Sequence, residues 1–424
     1  MKKLFEMPTE ELFLINYPCG CGETHEFVTP PITTKLPLDE IGRILSAGHV
    51  LIVSADDVDQ TTVDLLEDGL IARGYRVSRQ SALPFAAGWD ARQVDDDVRL
   101  IIAYGGSSLI EFAKVVAYTL DVPLVACPMG FDYAPVLQGL ARIKSNGMMY
   151  EFKGRRPDLV FVDYDGMMRS GEEVIAAAYG RIFATLLGAY DYCFSGKVYG
   201  TPFCNELFTA VVKAVARVVK QDGDVRSPYS VRLLSDTALR LAIFSQIAGN
   251  IPGGEQQLAS TIDRFLSVRT RDKRLFGENL MISAVALSGL YVAFLQRGKT
   301  AISVPPSRCR SVVGMRKTLL VPDALSLAFA RGFDRANKVA EFRLCVYAEE
   351  LLEMAKRVRA LIVEGLGVVR RVYSDAGFFM KYYLGVDELL ELIFLAPDYD
   401  PRPSLLTYAK DQGVLEKFDA RTLA

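Results

Sequence analysis

The sequence predicts two domains of different class: an α/β domain on a parallel sheet over residues 1–165, and an all-helical domain over residues 166–424. Three observations predict it. The chain has 424 residues, more than a single hydrophobic core ordinarily serves. Up to Asp163, short β-branched runs alternate with helix-periodic segments, the texture of a parallel sheet covered on both faces. From Gly166 onward apolar residues recur almost entirely at helical spacing.

The elements follow in order. Met1-Lys2-Lys3 leads into "LFEMPTEE", whose acidic residues and proline interrupt the apolar core a signal peptide needs. "YPCGCGETHEF" places Cys19, Cys21 and His25 within seven residues. That set reads either as a metal-binding group or as a tight hairpin between strand-like flanks; a structural zinc wants four ligands, and no partner pair is evident. "HVLIVSA" (residues 49–55) is a buried-strand run, followed by helical periodicity over residues 56–74. Residues 75–80, 98–104, 122–128 and 157–163 read as four further strands, with a helix starting at Ser107. Beyond Gly166, residues 171–192, 205–220, 235–249, 279–296 and 338–367 carry helical spacing, several starting after Ser, Asp or Asn and stopping at Gly.

Composition narrows the function. A net charge of −2 gives no electrostatic reason to expect nucleic acid or acidic lipid as a partner. No apolar run reaches the ~18 residues of a membrane-spanning helix. Seven scattered cysteines, an odd number, read as reduced thiols, so a cytoplasmic protein is expected. Trp89 is the one tryptophan, and His25 and His49 are the two histidines. Any chemistry that needs histidine must use one of those two.

The strand-to-helix turn "IIAYGGSSLIEFAK" (residues 101–114) carries the clearest functional signal. Glycines let backbone N–H groups approach an anion, and the helix N-terminus adds partial positive charge. Ser107 and Ser108 can cap the helix or donate to a phosphate oxygen. Such turns also occur with no ligand at all. The stretch resembles the GGGS-x-x-D-x-x-K signature of the iron-containing alcohol dehydrogenase and glycerol-1-phosphate dehydrogenase superfamily, with dehydroquinate synthase a more distant relative. "VPLVACP", residues 139–165, "GEEVIAAAYGRIFATLLGAYDY", "LAIFSQIAGNIPGGEQQLAST", "RLFGENLMI" and the tail at residues 392–418 resemble later segments of that superfamily in the same order. The likeness is closest to the glycerol-1-phosphate dehydrogenase branch.

The resemblance implies a dehydroquinate synthase-like fold whose first domain binds NAD or NADP. The pyrophosphate would lie at Gly105, Gly106, Ser107 and Ser108, with Asp56 placed to reach the adenosine ribose or to cap a helix, and Met129 standing where the family has threonine. Ser107 replaces the third glycine of the signature and Glu111 its aspartate. The substrate expected is a small polyol or phosphorylated alcohol, and the family's habit of assembly implies a homo-oligomer. The family's hydride transfer uses a divalent metal held by an aspartate and two histidines, which polarises the substrate oxygen. Carried over position by position, those ligands fall on Arg181, Gln256 and Phe276, none of them a metal ligand of that class, and the substrate-facing aspartate falls on Ala134, with Asp132 two residues earlier. Three outcomes stay open. The site has decayed to nucleotide binding, or it has been rebuilt with Arg181 as electrophile and Glu255, Asp132, Lys153 or Tyr133 handling a proton, or the chain is a regulatory or interaction subunit. Arg181 alternatively pairs with Glu278 or Glu255 in a structural role. Basic clusters at residues 153–158, 267–276 and 314–320 suit a phosphate or a solvated helix end.

Overall fold

In the computed structural model all five predicted strands form and run parallel in one sheet. The structure describes residues 7–12, 14–56, 58–81, 94–145, 148–221, 224–249, 253–269, 275–297, 323–372, 384–399, 404–411 and 415. Trp89, the basic residues at 270–274 and those at 314–320 lie outside them. The chain forms two units, residues 1–178 with 222–247, and residues 179–221 with 248–424.

The first unit opens with a hairpin, β1 (Leu14–Pro18) and β2 (Thr24–Val28), then β3 (Ile32–Thr33), α1 (Leu38–Ile44), β4 (His49–Ser54), α2 (Thr61–Ala72) and β5 (Arg76–Ser81). It continues through β6 (Val98–Gly105), α3 (Ser107–Leu120), β7 (Leu124–Pro128), α4 (Ala134–Leu137), the antiparallel pair β8 (Leu140–Ser145) and β9 (Met148–Lys153), β10 (Leu159–Phe161) and α5 (Tyr164–Met168). The six-stranded parallel sheet has the order β3-β10-β7-β6-β4-β5. Burial explains why the central strands read so plainly. Every residue of β4 and β7 is buried, and all of β6 except Arg99, so their sequences are unbroken apolar runs. Edge strand β5 mixes exposed and half-buried positions and buries none fully. The sixth strand, β3, is only two residues long and carries no periodicity to read.

Helix α6 (Glu172–Tyr199) begins in the first unit and continues in the second. The second unit adds α7 (Asn205–Val219), and α8 (Pro228–Ile247) then belongs again to the first. There Asp236 of α8 accepts hydrogen bonds from Thr9 (2.9 Å) and from the Tyr164 hydroxyl, and Tyr133 pairs with Ser235. The second unit is completed by α9 (Gly254–Arg269), α10 (Phe276–Arg297), α11 (Asp323–Val372), α12 (Val386–Tyr399) and α13 (Leu405–Asp411). One expectation needs correction. Phe276–Gln296 is long and apolar enough by composition to cross a membrane, with mean hydropathy 1.5, yet 83% of that stretch is buried within the protein, as in a core helix.

At the amino edge of the sheet, buried His49 lies 2.8 Å from Asp97 through Nδ1 and 2.8 Å from the Ser78 hydroxyl through Nε2. The His49 hydrogen bond, assisted by Arg76, holds the Asp97 carboxyl below the usual range. Arg76 also bridges Asp95 and Asp97. The cluster is therefore a self-satisfied pin between β4, β5 and β6, with a guanidinium already in the cation position.

Two glycines in the second unit make opposite predictions. A Cβ on Gly180 of α6 would collide with the Gly277 carbonyl oxygen at the start of α10, so Gly180→Ala is expected to destabilise by about 1–3 kcal/mol. A Cβ on Gly367, inside α11, meets nothing within 4 Å. Gly367→Ala is expected to stabilise by about 0.5–1 kcal/mol. Denaturant midpoints of the two variants check both signs.

Candidate nucleotide-binding site

In a parallel sheet, ligands sit beyond the carboxyl ends of the strands, where the order reverses. Here the reversal falls at β4, because β5 lies on one side of it and β6 on the other. The glycine turn stands at that edge, and its two glycines differ in purpose. A Cβ on Gly105 would approach the Ala55 Cβ to 3.1 Å and Leu109 to 3.3 Å, so Gly105 is needed for close packing of β6 on its neighbours. Gly106 is the N-cap of α3, with φ −75° and ψ 176°, a conformation any residue adopts. A Cβ there would meet nothing within 4 Å. Among the described residues no side-chain hydrogen bond caps α3, which leaves first-turn N–H groups without a side-chain cap. Packing and backbone geometry give no reason for a glycine at 106, whereas a bound anion does.

The residues around the turn hold it in place. Ser107 donates to Asp132 Oδ2 at 2.5 Å, and Asp132 Oδ1 accepts the Ala134 N–H at 3.3 Å, starting α4. Asp132 thus organises the loop after β7. The Met129 N–H donates to the Gly105 carbonyl at 3.0 Å, while its buried side chain turns inward. The reason is Gly166, where a Cβ would stand 2.7 Å from the Met129 methyl and 2.5 Å from both the Tyr104 hydroxyl and Asp163. Tyr104, the last side chain before the turn, donates to Asp163 Oδ2 at 2.7 Å, and Asp163 Oδ1 caps α5 through the Gly166 N–H at 2.9 Å. Burial, reinforced by Asp163, pushes the Tyr104 hydroxyl far above its usual range. This Tyr104–Asp163 lock has no signal in the sequence, since its members lie 59 positions apart.

Lower on α3, Lys114 is wholly buried, donating to Glu111 at 2.7 Å and to the Leu140 carbonyl. Burial pushes the Glu111 carboxyl up and the Lys114 ammonium down, and each charge opposes the other's shift. The signature's acid and lysine therefore tie α3 to β8. Asp56 lies exposed just beyond β4 and accepts from Ser81 at the end of β5, so its carboxylate stands at the same edge as Gly106. Ser108 is exposed on the first turn of α3. Of the other proton-handling candidates, Lys153 is exposed on β9 and Tyr133 is buried with its hydroxyl bound to Ser235.

The second unit gathers the remaining candidates. Phe276 packs on a cluster of Ala184, Ala259 and Leu280, where α6, α9 and α10 meet. Arg181 and Gln256 each lie three positions before a member of that cluster, hence on the same helix faces. Positions 181 and 256 thus lie within one turn of residues that Phe276 packs near. Gln256 is exposed. Arg181 is half-buried, and interactions with its surroundings hold the side chain.

Glu255 points elsewhere. Its carboxyl lies in a dry space that a Cβ on Gly188 would enter to 2.8 Å, and a Cβ on Gly253 would collide with it while standing 2.8 Å from Asp191 Oδ2. Asp191 accepts from Gly254 N–H (2.7 Å), Leu405 N–H (2.9 Å) and the Tyr291 hydroxyl (2.9 Å). Burial pushes Asp191 up to about 6 in spite of those donors. Burial and the nearby Asp191 push Glu255 well above its usual value, and its Oε2 has no hydrogen-bond partner among the described residues. Of the two carboxyls, Glu255 is the one with no donor on its Oε2 to oppose the upward push of burial. Both folded pKa values exceed their unfolded ones. The folded chain therefore binds protons more tightly than the unfolded one, and stability falls as pH rises through the raised values. Glu255→Gln removes one of those losses. The variant's melting temperature is expected to fall less than the parent's between about pH 5 and pH 8, read by thermal unfolding across a pH series.

No protein-family profile matches the chain. Among curated proteins, the glycerol-1-phosphate dehydrogenase [NAD(P)+] of Thermoplasma volcanium is 24% identical over 158 residues, 37% of this chain and 45% of that protein. The Pyrococcus furiosus enzyme of the same name is 24% identical over 204 residues, 46% and 57% of the two chains. The chain thus spans about half the length of the curated relatives it matches. Among solved structures, an iron-containing alcohol dehydrogenase from Thermococcus thioreducens superposes with TM-score 0.52 at 14% identity, over 92% of this chain and 99% of that one. A sulfoacetaldehyde reductase from Bifidobacterium kashiwanohense in complex with NAD+ gives TM-score 0.51 at 13% identity, over 92% and 98%. In sequence the chain is thus similar to glycerol-1-phosphate dehydrogenases over about half their length, and in fold it is similar to iron-containing alcohol dehydrogenases.

Proposed function

We propose that this chain binds a nicotinamide dinucleotide at the glycine turn and lacks the metal-dependent hydride transfer of glycerol-1-phosphate and polyol dehydrogenases. The observation that carries the first half is Gly106, open to solvent space ahead of the uncapped N-terminus of α3 at the sheet's reversal point. A pyrophosphate there accepts from the first-turn amides and gains from the helix dipole. Asp56 at the end of β4 accepts from ribose hydroxyls and repels a 2′-phosphate, which favours NADH over NADPH. Ser107, with its hydroxyl engaged by Asp132, narrows the anion path by one side chain and weakens the site without closing it.

The second half rests on donor chemistry. A guanidinium, a neutral amide and a phenyl ring stand at positions 181, 256 and 276, and such a set does not bind a divalent ion. Of the buried acids Asp191 and Glu255, the first has its oxygens committed to two backbone amides and a tyrosine, and the second is packed against Gly188 and Gly253. No step of a reaction is therefore drawn through a metal at those three positions.

Fluorescence titration with NADH and NADPH tests the reading. Saturable binding in the micromolar range is expected, tighter for NADH. Gly106→Asp fits the backbone and adds a charge in open space, so it should fold normally and weaken binding by roughly tenfold or more, about 1.4 kcal/mol. Turnover of glycerol 1-phosphate is expected to stay absent with added zinc or nickel. Loss of binding for both nucleotides in the parent protein, or metal-stimulated turnover, would overturn the respective half.

A further inference from the structure

We propose that the amino-terminal hairpin is a metal-binding knuckle in which Cys19, Cys21 and His25 hold one zinc ion. The inference is independent of the nucleotide site. Strands β1 and β2 pair in register from Leu14 opposite Val28 to Pro18 opposite Thr24. The turn between them is closed by Cys19 N–H donating to the Glu23 carbonyl (2.9 Å) and Gly22 N–H donating to the Cys19 carbonyl (3.1 Å). Gly22 sits at φ +91°, which turns the chain back on itself at a cost only glycine avoids. His25 lies in the second pair of the ladder, opposite Tyr17.

This geometry gathers three soft or borderline donors. The two Sγ atoms and a ring nitrogen of His25 all lie within 4.8 Å of one another. The Cys21 Sγ is 3.4 Å from His25 Nε2. In a tetrahedral zinc site with ordinary Zn–S and Zn–N bonds, the sulfur–nitrogen edge is about 3.5 Å. The hairpin therefore already presents one edge of the coordination tetrahedron at the right length. Neither cysteine is in a disulfide. Two thiolates and a neutral imidazole match zinc in charge and softness; binding releases two thiol protons and leaves a neutral centre, with a fourth position for water or another donor.

The hairpin also has a physical need for such a staple. It is a sheet of two strands only, and β2 alternates exposed with half-buried residues and buries none fully. Ile15 on β1 is buried, but no residue from 16 to 28 is, so the turn end of the ladder has little burial to order it and metal binding supplies ordering free energy there.

The full-length protein, reduced and stripped of metal by chelation, is titrated with cobalt(II). About one equivalent should develop the thiolate-to-cobalt charge-transfer band of a tetrahedral site, and zinc should displace it. That band needs sulfur ligands, so an ion held by oxygen or nitrogen elsewhere does not mimic it. Cys21→Ser, at an exposed position, should keep the circular dichroism of the parent and lose the band, and His25→Ala should weaken it. A parent protein with free thiols and no band, or a band that survives in Cys21→Ser, would overturn the proposal.

Discussion

The buried hydrogen bond from Tyr104 to Asp163 holds the carboxyl edge of the sheet together. Tyr104 ends the apolar part of β6, Asp163 follows β10 and starts α5, and Gly166 and Met129 fill the space between them. Fixing these four residues fixes the direction in which β6 delivers Gly105 and Gly106. Met129 returns the support by donating its N–H to Gly105. The geometry of the start of α3 is thus set from below by a core contact. Above it, Ser107 and Asp132 join the glycine turn to the loop after β7, and Lys114 anchors α3 to β8. A helix N-terminus can serve an anion only if it is held still, and here three tethers hold it.

The sequence made some of this legible and hid the rest for identifiable reasons. Strands β4, β6 and β7 are buried on both faces, so their apolar runs announced themselves, and the glycine turn stood out between β6 and α3. The two-residue strand β3 had no pattern to detect. Helix α8 shows helical spacing like its neighbours in the chain, and nothing local reveals that its Asp236 and Ser235 bind Thr9, Tyr164 and Tyr133 of the sheet unit. Contacts between residues more than fifty positions apart, such as Tyr104 with Asp163, are set by the fold and leave no periodicity. Glycines carried a clearer message in the structure than in the sequence. Gly105, Gly166 and Gly180 are packing glycines, while Gly106 has no packing role at all.

The helical unit separates two ideas that the sequence joined. Glu255 was a candidate partner or proton donor for Arg181, but the groups acting on its carboxyl are burial and Asp191. Its neighbours Gly188 and Gly253 make room for the pair, and Asp191 collects the start of α9 and the start of α13 through backbone N–H groups. That acid cluster is a structural centre of the bundle. Positions 181, 256 and 276 sit by a different contact, the apolar junction of Ala184, Ala259 and Leu280. On the proposed reading, the three positions carry a guanidinium, an amide and a phenyl ring where a metal-binding relative would carry its ligands.

The measurement that tests this most directly is metal uptake by the triple variant Arg181→Asp, Gln256→His, Phe276→His. If the three positions converge as described, the variant gains one divalent ion held by oxygen and nitrogen donors, seen as an added equivalent of cobalt without thiolate charge transfer, while the parent does not. A folded triple variant that takes up no more metal than the parent would contradict the account.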